Sequence, residues 1–140
     1  MAAAPTGDVK AVFDSYPPKA RKQLLAARAL LLKTAAQTDG VGAIHETLKW
    51  SEPAYLTQQT GAGTTIRLAW KAANPDEYRV LVHCQTNLIE TFRTICPDLN
   101  YDGNRAIVLD VNASLPRDAL AQFFGMALVY HRAKSKVVAG

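Results

Sequence analysis

Apolar residues recur every three or four positions in four stretches of the chain, and this period predicts α-helices. Pro17 and Pro18 separate the first two, because proline stops one helix and is tolerated in the first turn of the next. Asp8 and Thr86 are the expected caps of the first and third helices. The last helix should carry His131 on its wide apolar face. The predicted helices cover 9–16, 18–37, 87–96 and 116–134.

Between the second and the last helix the hydrophobic period shortens to two, which predicts half-buried strands. The predicted strands cover 44–50, 64–71, 77–84 and 104–110. Neighbouring strands joined by turn-rich loops favour an α+β fold over alternating βαβ units. We therefore expect a single domain with an antiparallel sheet of about four or five strands, packed by N-terminal, inserted and C-terminal helices.

The domain boundaries follow from where these patterns begin and end. Residues 1–7 are small and lack periodicity, so they are expected to be a flexible N-terminus. Residues 8–134 form the single domain, and 135–140 form a short C-terminal tail.

Composition narrows the class of protein. The hydrophobic fraction of 49% and the charged fraction of 20% are typical of a folded globular domain. No apolar run reaches the roughly 18 residues that suggest a membrane span, and residues 1–7 lack the basic and apolar pattern of a signal peptide, so we do not expect secretion. We expect a soluble cytoplasmic protein with no membrane partner. In that compartment Cys84 and Cys96 should remain thiols.

The net charge of +4 is modest, and no nucleic-acid docking motif accompanies it. Nucleic acid is therefore not the expected partner. The sequence also lacks the nucleophile elbow, the phosphate loop and the paired-ligand motifs of zinc sites. His83 and Cys84 are adjacent on a strand, so their side chains should face opposite sides of the sheet and not share one metal. We assign no catalytic residue, no metal ligand and no cofactor.

The least ordinary segment is 46–55 (ETLKWSEPAY), where two aromatic residues bracket a turn that Pro53 stiffens. Aromatic side chains with polar tips beside charged groups are typical of small-ligand sites. A basic residue of the next strand and two residues at a strand-to-helix junction could complete a pocket for a small polar or anionic molecule. The candidate ligand-binding residues are Trp50, Tyr55, Arg67, His83 and Asn87.

Four separated blocks carry a resemblance to a known family: ETLKWSEPAY, GTTIRLAW, HCQTNLIETFR and GNRAIVL. In this order they resemble the YdhG-like family of bacterial domains of unknown function. The resemblance covers about 9–131 and implies a compact α+β domain with an antiparallel sheet. Some members are described as frataxin-like iron chaperones, which implies iron or other metal handling as one alternative.

Our leading hypothesis is a non-enzymatic small-ligand-binding or chaperone-like module, with a homodimer left open. Two alternatives remain: frataxin-like metal handling, and a small enzyme that uses Arg67 and His83. Frataxin-type iron binding relies on carboxylates along a helix face, whereas the charged residues of the first two helices here are mostly basic.

Overall fold

The computed structural model describes residues 3–132 and has the expected α+β architecture in one domain. Six strands form one antiparallel sheet in the order β1-β2-β3-β4-β6-β5, where four or five were expected. The elements are α1 Gly7–Ser15, α2 Pro18–Ala36, β1 His45–Lys49, β2 Glu52–Leu56, β3 Ile66–Ala69, β4 Glu77–Leu81, α3 Leu88–Ile95, β5 Asn100–Asp102, β6 Ala106–Asp110 and α4 Arg117–Leu128.

Both predicted helix caps are wrong. Asp8 lies inside the first turn of α1, where its charge suits the positive end of the helix, and the N-cap is Thr6. The N-cap of α3 is Asn87. Thr86 instead donates its hydroxyl hydrogen to the carbonyl oxygen of His83, so it closes a turn before the helix.

The two ends of the domain differ from expectation. Helix α4 ends at Leu128, and after an interruption at Val129 residues 130–132 are again helical. His131 is exposed and does not lie on an apolar face. The predicted helix end at 134 and the tail 135–140 lie outside the described residues. At the other end the carbonyl of Ala3 accepts a hydrogen bond from Arg28, while the flexibility of 1–7 remains a prediction.

The first hairpin contains a strand that the sequence did not indicate. Strand β2 pairs with β1 in antiparallel register, and Pro53 lies opposite Leu48 inside the strand, not in a turn. The turn itself is the two residues Trp50 and Ser51, with φ of 56° and 62°. Positive φ at both central residues is the geometry of a type I′ turn, whose twist matches that of the flanking strands.

The two faces of the sheet have different surroundings. On the helix-covered face one apolar core joins the helices to the sheet, and its sheet residues include Tyr55, Ile66, Leu68, Tyr78, Val80 and Ile107. The other face, here called the open face, presents Ala54, Arg67, Ala69, Arg79, Leu81 and Ala106, as the strand register requires. Its separate apolar cluster contains three of these residues and, within residues 3–132, none from a helix.

Candidate functional site

Strand register separates two of the predicted ligand-binding residues. Tyr55 pairs with Ile66 and lies on the helix-covered face, where it is 0% exposed. Arg67 is the next residue of β3, so it lies half-buried on the open face, opposite Ala54 and Leu81. Tyr55 therefore belongs to the core and lines no site shared with Arg67.

The other three predicted residues lie at the ends of strands. Trp50 is 86% exposed and precedes β2, whereas His83 is exposed and follows β4. Because β2 and β4 are both antiparallel to β3, they run in the same direction, and Trp50 and His83 are at opposite ends of the sheet. Asn87 is exposed next to α3, and its backbone N–H donates to the Tyr130 hydroxyl at 3.4 Å. The five residues do not line one pocket.

The open face instead brings Arg67 together with a residue outside the predicted set. The Nη1 atom of Arg67 lies 2.5 Å from Oε1 of Glu52, which is two positions before Ala54 in β2 and so on the same face. The side chains are 24% and 11% exposed, respectively. Side chains alternate between the two faces along β2, and this places Glu52 on the same face as Arg67. The sequence analysis missed Glu52 because it did not predict that 52–56 form a strand.

The neighbours of Arg67 on the open face are apolar. Ala54 and Leu81 lie opposite it on the two adjacent strands, Ala69 is two positions further along β3, and all three are buried. A guanidinium carries several N–H donors in a planar fork, and in the described part of the chain Arg67 uses only Nη1. The arrangement can therefore present further donors to a carboxylate or phosphate while Glu52 holds the guanidinium in place.

The charge of Glu52 also acts at the edge of the core. Burial, followed by the charge of Glu52, raises the pKa of Tyr16 to about 12, against a smaller opposing effect of a hydrogen bond with the Trp70 backbone. The Tyr16 and Trp70 rings are 6.1 Å apart between centroids.

The remaining reactive side chains are dispersed. Cys84 is exposed, Cys96 is half-buried and both are free thiols. The Nδ1 atom of His83 accepts a hydrogen bond from the Gln85 backbone N–H at 3.1 Å, which fixes the orientation of the ring. Across residues 3–132 no three His, Cys, Asp or Glu side chains are grouped so that they could hold a metal ion. None of the helices in that range has the length and hydropathy needed to cross a bilayer.

Comparisons of the chain with protein-family models, with curated proteins and with solved structures give no match. The resemblance to the YdhG-like family remains a prediction from the four sequence blocks.

Proposed function

We propose that the protein is a non-enzymatic, cytoplasmic binding module that holds a small polar or anionic ligand against the open face at Arg67. The observation that carries this proposal is the Arg67–Glu52 ion pair, which lies beside the buried apolar side chains of Ala54, Ala69 and Leu81. An ion pair in such a position adds little net stability, because desolvation of the charges offsets much of their attraction. Recognition of an outside group accounts for charges that packing does not require.

The chemistry of Arg67 defines the class of ligand. Its guanidinium is planar and permanently charged, and one carboxylate already fixes its orientation. A second planar acceptor, such as a carboxylate or a phosphate, can bind the unused edge through two parallel hydrogen bonds. Because the side chain is only 24% exposed, salt screens such a contact less than it screens a surface contact.

The test is an NMR titration of the protein with succinate and, separately, with inorganic phosphate. We expect saturable shifts at Ala54, Arg67 and Leu81 for at least one probe. Arg67→Lys keeps the charge but loses the fork, so it should weaken that binding roughly five- to tenfold.

The matched control is Arg79→Lys, since Arg79 lies on the same face and also forms an ion pair, with Glu77 at 3.1 Å. We expect this variant to bind as the unaltered protein does. Equal weakening in both lysine variants would show that the guanidinium of Arg67 has no specific role in binding. Failure of both probes to saturate at millimolar concentration would end the proposal of an anionic ligand.

A second candidate, self-association, is favoured by one corner of the sheet. Strand β1 is at the edge of the sheet, and Trp50 follows directly at its end with 86% of its surface exposed. An edge strand can pair with another copy of itself, and an exposed indole beside it adds apolar area to bury. Sedimentation equilibrium should show a dimer that Trp50→Ser weakens and Ile95→Ser, at another exposed large hydrophobic residue, does not. A monomer at all concentrations would refute the dimer.

A further inference from the structure

Strand β1 is at the edge of the sheet, and within residues 3–132 no backbone hydrogen bond joins its outer side to another segment. Lys49 and Glu52 flank the two-residue turn, so they are the hydrogen-bonded pair that closes the hairpin. Hydrogen bonding alternates along an antiparallel pair, so the backbone N–H and C=O groups of Glu46 and Leu48 point away from β2. These two residues offer two donors and two acceptors to a further strand.

The apolar side chains of this edge also indicate that it is uncovered. Ile44, just before β1, and Leu48 pack against the core but are only half-buried. The neighbouring strand β2, in contrast, is buried at four of its five positions. A further strand beside β1 would remove more of this apolar surface from water.

Trp50 follows β1 in an unusual backbone conformation. Its φ of 56° is left-handed, which is rare for a bulky residue, and Asn, Asp or Gly is preferred at this position of such a turn. The side chain gains little burial from its own chain, because it is 86% exposed. Neither the turn nor the core accounts for a tryptophan here, and an aromatic residue of this kind is typical of an interface anchor.

A cavity of about 310 Å³ lies at the other end of β1, where the strand begins. It is lined by Ala43, Ile44 and His45 and by two residues that follow β2, Gln58 and Gln59. The Oε1 atom of Gln59 accepts a hydrogen bond from the Ala43 backbone N–H at 3.0 Å, which joins the two sides of the cavity. The cavity can hold a small ring system, and the Gln58 amide offers an acceptor to an N–H donor.

An antiparallel second copy of β1 brings these features together in one register. With the two-fold axis at Thr47, Glu46 lies opposite Leu48 of the second copy, and every residue of β1 is paired. The same register places Trp50 opposite Ile44 of the second copy, beside that copy's cavity. An axis at Glu46 would set two carboxylates opposite each other, and an axis at Leu48 would set the start of the strand against the turn.

The side chains of β1 are compatible with this pairing. The carboxylate of Glu46 is already bound in an ion pair, so it brings no unpaired charge to the edge. Lys49 lies opposite His45 of the second copy, and Glu52 lies across from Lys49 in its own hairpin. At the axis two copies of Thr47 meet, and threonine pairs of this kind stabilise antiparallel strands.

We propose that two copies of the chain join their β1 edges in this register, with each Trp50 indole in the cavity at the start of the other copy's β1. The contact is isologous, so the indole contact occurs twice. The indole N–H donates to the Gln58 amide oxygen, and the ring covers Ala43 and Ile44. This geometry rests on the self-association proposed above and assigns its edge, its register and its pocket.

Disulfide crosslinking tests the register, in a background with Cys84→Ser and Cys96→Ser. Thr47→Cys sets one thiol opposite its own copy, at a pair whose Cα atoms are about 4.5 Å apart, within reach of a disulfide. Mild oxidation should convert most of this variant to a covalent dimer. The control is Lys49→Cys, an exposed position on the same face whose copy would be roughly 13 Å away, so it should stay largely monomeric. Equal crosslinking of the two variants would overturn the register.

Hydrogen exchange tests the backbone pairing separately from self-association. The Glu46 and Leu48 amides should exchange more slowly at millimolar than at micromolar protein concentration. The Thr47 amide, which bonds within the hairpin, should not respond. A monomer by sedimentation at all concentrations would refute self-association and this pairing together. A dimer that lacks the amide protection or the Thr47→Cys crosslink would refute the pairing alone.

A variant of the cavity tests the placement of the indole. Ala43→Gln adds a side chain to the cavity lining and should weaken the dimer roughly tenfold, because the indole then loses part of its contact. The control is the same substitution at Ala29, which is exposed on α2, and it should leave the dimer unchanged. Equal dimer affinity in the two variants would show that the indole does not lie in the cavity.

Discussion

The β1–β2 hairpin carries two glutamates that each bind an arginine, and the two ion pairs lie on opposite sides of the sheet. Glu46 of β1 pairs across the hairpin with Tyr55 and faces the helices, where it binds Arg28. Glu52 of β2 faces the open side, where it binds Arg67. The first arginine side chain is 8% exposed and the second is 24% exposed.

The two arginines differ most in how their donors are used. Arg28 donates from Nε and Nη2 to the two oxygens of Glu46, at 2.5 and 3.0 Å, and from Nη1 to the Ala3 carbonyl at 2.7 Å. It thereby ties α2 to β1 and to the N-terminal segment. Arg67 makes one such bond, to a neighbouring strand. A guanidinium used on all sides is a structural tie, whereas one with unused donors is available to a ligand.

The largest effect is expected from Arg28→Ala. It leaves the carboxylate of Glu46 without its cation in a half-buried position, which should lower the free energy of unfolding by about 3 kcal/mol. Urea denaturation measures this difference. The control is Lys10→Ala, which breaks a pair whose side chains are 59% and 53% exposed, and it should cost less than about 0.5 kcal/mol. Similar losses in the two variants would contradict a structural role for Arg28.

Arg67→Ala should cost less, about 1 to 2 kcal/mol, because it removes one hydrogen bond whereas Arg28→Ala removes three. The same denaturation experiment measures it, and Arg67→Lys should recover most of the loss. A loss larger than that of Arg28→Ala would reverse the comparison and make the open-face pair the main structural tie.

The sequence predicted the elements whose hydrophobic period is clear and missed those that lack one. Strand β2 is buried at four consecutive positions, so it shows no alternation, and Pro53 in it suggested a turn. Strand β5 has three residues, of which Asn100 and Asp102 are exposed, and it forms because β6 offers it a backbone partner. Pairing of this kind has no local signature.

The candidate site depends on strand register and on long-range contacts, and neither can be read from the pattern of residues along the chain. Whether Tyr55 and Arg67 share a face follows from the register of β2 against β3, and a shift of one residue would reverse it. The Arg28–Glu46 pair joins a helix to a strand 18 positions away, so no local spacing indicates it. Trp50 and Arg67 were both predicted to line one pocket, but Trp50 is exposed at the hairpin turn, and a ligand-binding role for Arg67 stays a prediction.

The pH dependence of stability tests the Glu46 pair by another route, with an effect smaller than either arginine deletion. Burial by itself would raise the pKa of Glu46, but hydrogen bonds with Arg28 and Tyr55 and the charge of Arg28 outweigh it and hold the pKa below its ordinary value of 4.5. The unfolded chain therefore takes up this proton first as the pH falls. The stabilisation is complete above pH 4.5 and is lost as the pH falls through the lower folded-state pKa.

Denaturation at a series of pH values, for the protein and for Glu46→Gln, measures this dependence. The substitution should lower the stability at neutral pH and flatten the part of the curve below pH 4.5. Parallel curves for the two proteins would show that Glu46 titrates in the same way folded and unfolded.

The smallest effect should come from the turn that holds the two glutamates on opposite faces. Ser51 is exposed with φ of 62°, a left-handed conformation that costs a residue with a side chain more than it costs glycine. Ser51→Gly should therefore raise the free energy of unfolding by about 0.5 kcal/mol, after the greater flexibility of glycine in the unfolded chain is subtracted.

The reverse change, Gly61→Ala, is the matched control, because Gly61 has φ of 67° and an added methyl group would meet no atom within 4 Å. It should lose about 1 kcal/mol through backbone strain alone. If Ser51→Gly destabilised the protein instead, contacts of the serine side chain would have to stabilise the turn by more than its left-handed backbone costs.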